Sequence, residues 1–196
     1  MTRTAKIERR TRETDVSVAV DLDGGAVEAS TGVGFFDHML ELLAGHGRLG
    51  LRANARGDLE TGAHHTVEDT GIALGQALDQ ALGDRAGIRR YGWAAVPMDE
   101  ALASCAIDVS GRPLCRFSSP QLPPATIAGF EAELAEEFVR AVAANAKLTV
   151  HLETPHGSNA HHLIEACFKA FARALREAVA LDPGADGVPS TKGTLR

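Results

Sequence analysis

The chain has 196 residues, 44% of them hydrophobic and 23% charged. That is the balance of a globular protein rather than a disordered one, long enough for one domain or for two small halves sharing a core. The formal net charge of -6 advertises no strongly basic face, which argues against nucleic acid as a partner and leaves room for a local cluster of cations around a small anion; no apolar run reaches the roughly 18 residues of a membrane span, so no membrane partner is expected.

In chain order, Met1 to Arg12 is basic and polar, unlike a secretory signal. Asp15 to Leu22 alternates Val16, Val18 and Val20 with polar or small residues, which predicts a strand, and Asp23-Gly24-Gly25 predicts a hairpin into Ala26 to Ser30. Phe36 to His46 reads as a short helix ending at Gly47, with His46 at its C-cap, and Leu49 to Ala55 as a strand. Ala101 to Val109 alternates again, and Ser110-Gly111-Arg112-Pro113 turns it into Leu114 to Phe117. Phe130 to Lys147 reads as a longer helix with Leu134, Phe138 and Val142 inward, and Leu148 to Leu152 as a strand. The stretch after Asp182 is rich in Gly and Pro and reads as a loop that carries Ser190 and Lys192. Cys105, Cys115 and Cys167 are an odd number without paired spacing, which favours reduced thiols and a cytoplasmic location.

The chain is written twice. Leu59-Glu60-Thr61 precedes His64-His65, and Leu152-Glu153-Thr154 precedes His161-His162; from the histidines onward the copies run at a constant offset, 161 − 64 = 97. Val67, Gly71, Leu74 and Leu78 match Ile164, Phe168, Phe171 and Leu175, the buried stripe of an amphipathic helix in each copy. On such a helix the first His and the Glu of His-His-x-x-Glu are four apart and the second His and the Glu three apart, so all three project from one face. Each half is predicted as β-β-α-β-α, about 1–92 and 93–182 with a tail at 183–196, within one domain of α+β class with mostly antiparallel sheets packed on helices.

Two such elements in the same helical phase, His64-His65-Glu68 and His161-His162-Glu165, point to metal ligation, and imidazole with carboxylate suits Mn, Fe or Zn. Six ligands exceed the needs of one ion, so two metals are expected. His38 and Glu137 stand at comparable distances before the two pairs and are additional candidates, although Glu137 also fits a solvated face among Glu131, Glu133 and Glu136. His156 reads as a loop residue, and His151 sits in a strand, where it could stand behind a metal ligand but has no partner in the pattern. Asp21-Leu22-Asp23-Gly24 has the form of a phosphatase nucleophile motif, but its strand alternates and a turn accounts for it; no Gly-x-Gly-x-x-Gly or Walker loop occurs. Cys105 reads as a small core residue.

The chain resembles the imidazoleglycerol-phosphate dehydratases of histidine biosynthesis from end to end. The resemblance is carried by Arg12-Glu13-Thr14, Phe36-Asp37-His38-Met39-Leu40, Gly57-Asp58, His64-His65-Thr66-Val67-Glu68-Asp69, Met98-Asp99-Glu100-Ala101-Leu102 and Asp108-Val109-Ser110-Gly111-Arg112-Pro113. It continues through Asn159 to Ala166, Phe168 to Leu175, and Ser190-Thr191-Lys192-Gly193. The resemblance implies a ribosomal protein S5 domain 2-like fold, two Mn²⁺ per active site, and self-assembly into a large homo-oligomer of roughly 24 subunits, with sites completed across subunit contacts. It implies that His38, His65, Glu68 and His162 hold one metal and His64, His161 and Glu165 the other. A further His is common in the family where this chain has Glu137, and a Gln where it has Leu42.

The implied reaction is a hydro-lyase step, the metal-dependent dehydration of D-erythro-imidazole glycerol phosphate to imidazole acetol phosphate. Metal charge beside the ring would favour the imidazolate form of the substrate, which expels the side-chain hydroxyl. By resemblance the catalytic set is Glu13, His64, His65 and Glu165, with Glu13 as proton carrier, and Arg90, Arg112, Lys169, Ser190 and Lys192 bind the phosphate. A metal-binding scaffold or a dinuclear hydrolase are the competing classes; a pure scaffold has no use for the phosphate set.

Overall fold

The valines at 16, 18 and 20 all point one way, into the core, in the structure, a computed structural model that describes residues 2–195. They belong to β2 (Thr14–Asp21), which lies between β1 (Thr4–Arg10) and β4 (Gly50–Gly57); β3 (Val27–Ser30) completes a sheet of order β1-β2-β4-β3. Two helices belong to this half, α1 (Gly34–Gly47) and α2 (His64–Leu82). The second half repeats the plan with β5 (Tyr91–Met98), β6 (Ala101–Asp108), β7 (Leu114–Ser118), α3 (Leu134–Asn145), β10 (Thr149–His156) and α4 (Ala160–Val179), in a sheet of order β5-β6-β10-β7. A small antiparallel pair, β8 (Thr126–Ile127) and β9 (Phe130–Glu131), is added before α3.

The α+β class and the mostly antiparallel sheets match the expectation, while the strand pairing does not. Asp23-Gly24-Gly25 does not make a hairpin between β2 and β3. The two edges of β2 are taken by β1 and β4, with Val18 opposite both Ile7 and Ala53, and β3 lies parallel to the far edge of β4. Likewise β7 runs parallel to β10 instead of pairing with β6. Each half is therefore β-β-β-α-β-α, one strand longer than predicted. The extra strands were hidden in the pattern: only Ala5 and Ile7 of β1 lean on the core, and the rest of that strand is charged or polar. The second sheet opens at Tyr91, just ahead of the expected join at 92–93. Phe130 is buried in β9 rather than in α3, which starts at Leu134. Arg48, at φ 52°, is the C-cap of α1, and His46 falls in its last turn.

The helices form a layer between the two sheets. α2 covers β1, β2 and β4, α4 covers β5 and β6, and across the layer α2 packs on α3 and α1 on α4. One continuous apolar cluster runs through both halves. Phe138 of α3 stacks on Phe168 of α4 at 5.3 Å between centroids, and Phe36 meets Phe138 edge-on. No helix among the described residues is long and apolar enough to cross a membrane.

The tail is tied down along its length. Asp182 N donates to Gly87 O and Gly87 N to Gly187 O, each at 2.8 Å, and Arg90 Nη1 donates to Pro189 O at 2.9 Å. The buried guanidinium of Arg85 donates to Leu195 O, to Asp79 Oδ1 at 2.6 Å and to Ala146 O at 3.2 Å.

Close approach of backbone to backbone sets the spacing of α4 on the second sheet. A Cβ placed on Gly92 would stand 2.0 Å from Ala174 O and 2.7 Å from Ala178 N, so α4 rides directly on β5 and no flexible side chain can yield. Gly92→Ala is expected to cost about 1–3 kcal/mol as overpacking, read as a lower urea midpoint at an unchanged slope. A midpoint equal to that of the parent chain would overturn the packing described for α4.

Candidate functional site

The first His-His-x-x-Glu element opens α2. His65 Nδ1 lies 3.0 and 3.1 Å from the two carboxylate oxygens of Asp58, just upstream of the helix, and 4.0 Å from Glu13 Oε2. His64 Nε2 lies 3.9 Å from Glu68 Oε2. Glu13 is held there by the turn between β1 and β2: Thr11 Oγ1 accepts from Glu13 N and Thr14 N, Thr14 Oγ1 donates to Asp69 of α2, and Arg9 Nε donates to Asp69 Oδ1 at 2.9 Å. Asp58 N in turn donates to Glu13 O at 3.1 Å. The hydrogen bond with Asp58 raises the His65 pKa against a smaller opposing effect of burial.

The second element opens α4. Asn159 caps this helix through its side-chain oxygen, which accepts from His161 N at 2.9 Å and His162 N at 3.4 Å. Glu165 is 6% exposed and gathers three partners: Lys169 Nζ at 2.5 Å, His161 Nε2 at 2.9 Å and His38 Nε2 at 3.2 Å. His38 comes from α1, whose start is pinned because Asp37 Oδ1 accepts from the amide and hydroxyl of Thr31. Burial alone would raise the Glu165 pKa; Lys169, His161 and His38 outweigh it and hold the carboxyl at about 2. His162 Nδ1 lies 2.8 Å from Glu100 Oε2, and its Nε2 lies 3.6 Å from Asp99 Oδ2. Glu100, at the turn between β5 and β6, also accepts from Ser158 N and Asn159 N. His162 first, and then these amides, hold Glu100 at about 2, while Glu100 raises the pKa of His162.

A third group is cationic. Arg90 Nε and Nη2 grip the two carboxylate oxygens of Asp108 at 2.8 and 3.2 Å, and its Nη1 holds the tail at Pro189 O, next to Ser190. Arg112 Nη2 is 3.8 Å from the same Asp108, and its side chain remains 70% exposed. Ser190 Oγ accepts from Lys192 N at 3.2 Å. Arg90, Arg112 and the Ser190–Lys192 turn are thus linked through Asp108 and Pro189. Lys169 stands apart from this group, with Glu165 and Met98 Sδ.

Within one chain the structure therefore brings together His38, His161 and Glu165, and separately Glu13, His64, His65 and Glu68. The two expected ligand sets are divided between these clusters. Among the described residues no three His, Cys, Asp or Glu side chains of a single chain converge as a metal site. Glu137 lies 3.9 Å from Arg140 Nη1 and, among the described residues, has no His or Glu partner in the site. Leu42 packs partly buried against the core. Sequence reasoning passed over Asp58 and Glu100, the carboxylates on His65 and His162; both stand in stretches quoted for the resemblance, and Asp58, seven residues before His65, carries a local signal that Glu100, 62 residues before His162, does not.

Residues 31–175 match the family model described as imidazoleglycerol-phosphate dehydratase. The protein of that name from Symbiobacterium thermophilum is 59% identical over 98% of this chain and 93% of its own length, and one from Rhodopseudomonas palustris is 56% identical over 98% of both. The crystal structure of imidazoleglycerol-phosphate dehydratase from Staphylococcus aureus superposes with a TM-score of 0.81 at 40% identity, covering 91% of this chain and 99% of that one. The Pyrococcus furiosus structure, with a TM-score of 0.82 at 36% identity, covers 96% of this chain and 100% of that one. The chain belongs to the imidazoleglycerol-phosphate dehydratase family, hydro-lyases of histidine biosynthesis.

Proposed function

We propose that the chain dehydrates imidazole glycerol phosphate to imidazole acetol phosphate in a metal-dependent reaction, with two Mn²⁺ per active site. The observation that carries the metal part is the repeated donor set. Two helices begin with the same pair of imidazoles and a carboxylate, and in each the second imidazole is held through Nδ1 so that Nε2 faces away from its holder. Imidazole and carboxylate donors without thiolate fit Mn²⁺. His38, His65, Glu68 and His162 would hold one ion and His64, His161 and Glu165 the other. Because the members of each set lie in separate clusters of one chain, each set draws on a second copy, and assembly into a homo-oligomer of roughly 24 subunits belongs to the same proposal. When bound, the ions supply positive charge beside the imidazole ring of the substrate and stabilise its deprotonated form.

The chain's own residues supply the rest. Glu13, 54% exposed and beside His65, accepts and returns a proton at the side chain of the substrate. Arg112 has most of its donors free for a bidentate grip on phosphate. Arg90 spends three nitrogens on Asp108 and the tail, so it braces the phosphate site more than it fills it. Ser190 and Lys192 approach on the tethered tail, and Lys169 offsets the charge of Glu165. Three free cysteines, two of them buried, suit a reducing cytoplasm.

Chelator-stripped protein is expected to form the ketone product only after Mn²⁺ is restored; equal turnover without metal would remove the metal from the proposal, and none in the assembled, Mn-loaded protein would remove the dehydratase reaction. His64→Ala and His161→Ala are each expected to lose bound metal together with activity, and elemental analysis giving unchanged metal content in both would defeat the ligand assignment. Lys192→Ala is expected to raise KM about tenfold or more, the loss of one charged hydrogen bond, with a smaller change in kcat; an effect confined to kcat would take Lys192 out of substrate binding.

The pH dependence follows from the raised histidines. A proton on His65 or His162 competes with the metal, and the hydrogen bonds to Asp58 and Glu100 raise both pKa values from the ordinary imidazole value. Affinity for Mn²⁺ therefore falls as pH drops through the raised values and recovers as pH rises above them. Titrations over a series of pH values in which affinity already levels off below the ordinary imidazole range would contradict this.

A further inference from the structure

A neutral imidazole carries one N–H, and a carboxylate in hydrogen-bond contact draws that hydrogen to the nitrogen it faces. Asp58 faces Nδ1 of His65 at 3.0 Å and Glu100 faces Nδ1 of His162 at 2.8 Å. In both cases the nitrogen left with its lone pair is Nε2; Asp99 Oδ2 stands 3.6 Å from that of His162, outside hydrogen-bond distance, so the shorter bond to Glu100 decides. The first histidine of each pair is treated differently: Nε2 of His64 and of His161 points to the Glu four residues on, at 3.9 and 2.9 Å, and among the described residues neither Nδ1 has a partner. We infer that Asp58 and Glu100 are positioning residues for metal capture, each fixing the tautomer and ring direction of the second histidine of its pair. This rests on the metal-binding reading above.

The two carboxylates are not copies of each other. At the offset that aligns Leu59 with Leu152, 152 − 59 = 93, the counterpart of Asp58 is His151, exposed on β10. The second half takes its carboxylate instead from the turn between β5 and β6, 62 residues before His162. The equivalent turn of the first half, just before β2, carries Glu13, whose Oε2 stands 4.0 Å from His65 Nδ1 and so beyond hydrogen-bond reach. Each half thus makes the same bond to the same ring atom from a different place, which marks the bond itself as the required feature. The side-chain partners of Asp58 are His65 and Thr61, so its carboxylate has little structural work besides. Glu100 has more, since it also accepts from Ser158 and Asn159 ahead of α4.

The test is a titration of full-length, assembled, chelator-stripped protein with Mn²⁺, following the free ion by electron paramagnetic resonance, beside thermal melting of the metal-free forms. Asp58→Ala and Glu100→Ala are each expected to weaken Mn²⁺ binding about 10–100-fold, the usual effect of removing a carboxylate behind a ligand histidine. Asp58→Asn and Glu100→Gln are expected to fall between these and the parent chain, because an amide oxygen still accepts the Nδ1 proton. Parent-like affinity in both alanine variants overturns the inference. Equal loss in the alanine and amide variants also overturns it, because charge alone would then be the cause. If Glu100→Ala also lowers the metal-free melting temperature, Glu100 belongs to loop folding and the inference fails for that residue; Asp58→Ala decides the other. A parent chain that takes up no Mn²⁺ defeats the metal reading itself, a result distinct from equal uptake by all variants.

Discussion

A carboxylate buried as deeply as Glu165 cannot stand alone, and satisfying it obliges three elements to meet at one point. α1 must deliver His38, α4 must deliver His161 and Lys169 from one face, and the end of β5 must close over Lys169 with Met98. Removing Lys169 would leave the buried charge of Glu165 without its cation, which costs far more than the bond itself gains. The pairing of α1 with α4 across the helical layer, the Thr31–Asp37 contact that aims α1, and the Asn159 cap that starts α4 all serve that meeting point.

The two halves share a plan and differ where they need to. Gly71 of α2 takes the place of Phe168 of α4 on the buried stripe, and a Cβ at Gly71 would stand 2.9 Å from Ala141 Cβ and 3.1 Å from Phe138 O. α2 therefore lies close against α3, while α4 fills its side of the layer with an aromatic ring. The start of α2 has no side-chain cap, whereas α4 has Asn159. Duplication explains the common topology; these departures let two copies of one motif form a single continuous core.

Much of this was legible in the order of residues. The buried stripes of α2 and α4 are set by local periodicity, and the phase that buries Val67 or Ile164 is the phase that sets the two histidines and the glutamate together beside the stripe. Strand pairing was not legible, because whether β3 follows β2 or lies beside β4 depends on contacts across the chain and not on the turn at Gly24-Gly25. β1 escaped notice for a related reason: a strand with one face in water needs only Ala5 and Ile7 to hold it. Within the site, the histidines announced themselves through their spacing, but Glu100 meets His162 across 62 residues, a distance over which no periodicity speaks. The largely exposed guanidinium of Arg112 and the engaged one of Arg90 likewise look alike as letters and separate only once Asp108 is in place.

The tethering of the tail has a consequence for handling the protein. Leu195 is 3% exposed, and its carbonyl satisfies the buried guanidinium of Arg85, which Asp79 and Lys147 support from the other side. Leu195 is thus anchored in the interior, although residues 191–194 ahead of it are exposed. Removing Leu195 would take from a buried cation one of its three acceptors and weaken a fold that lost nothing visible from its sheets or helices.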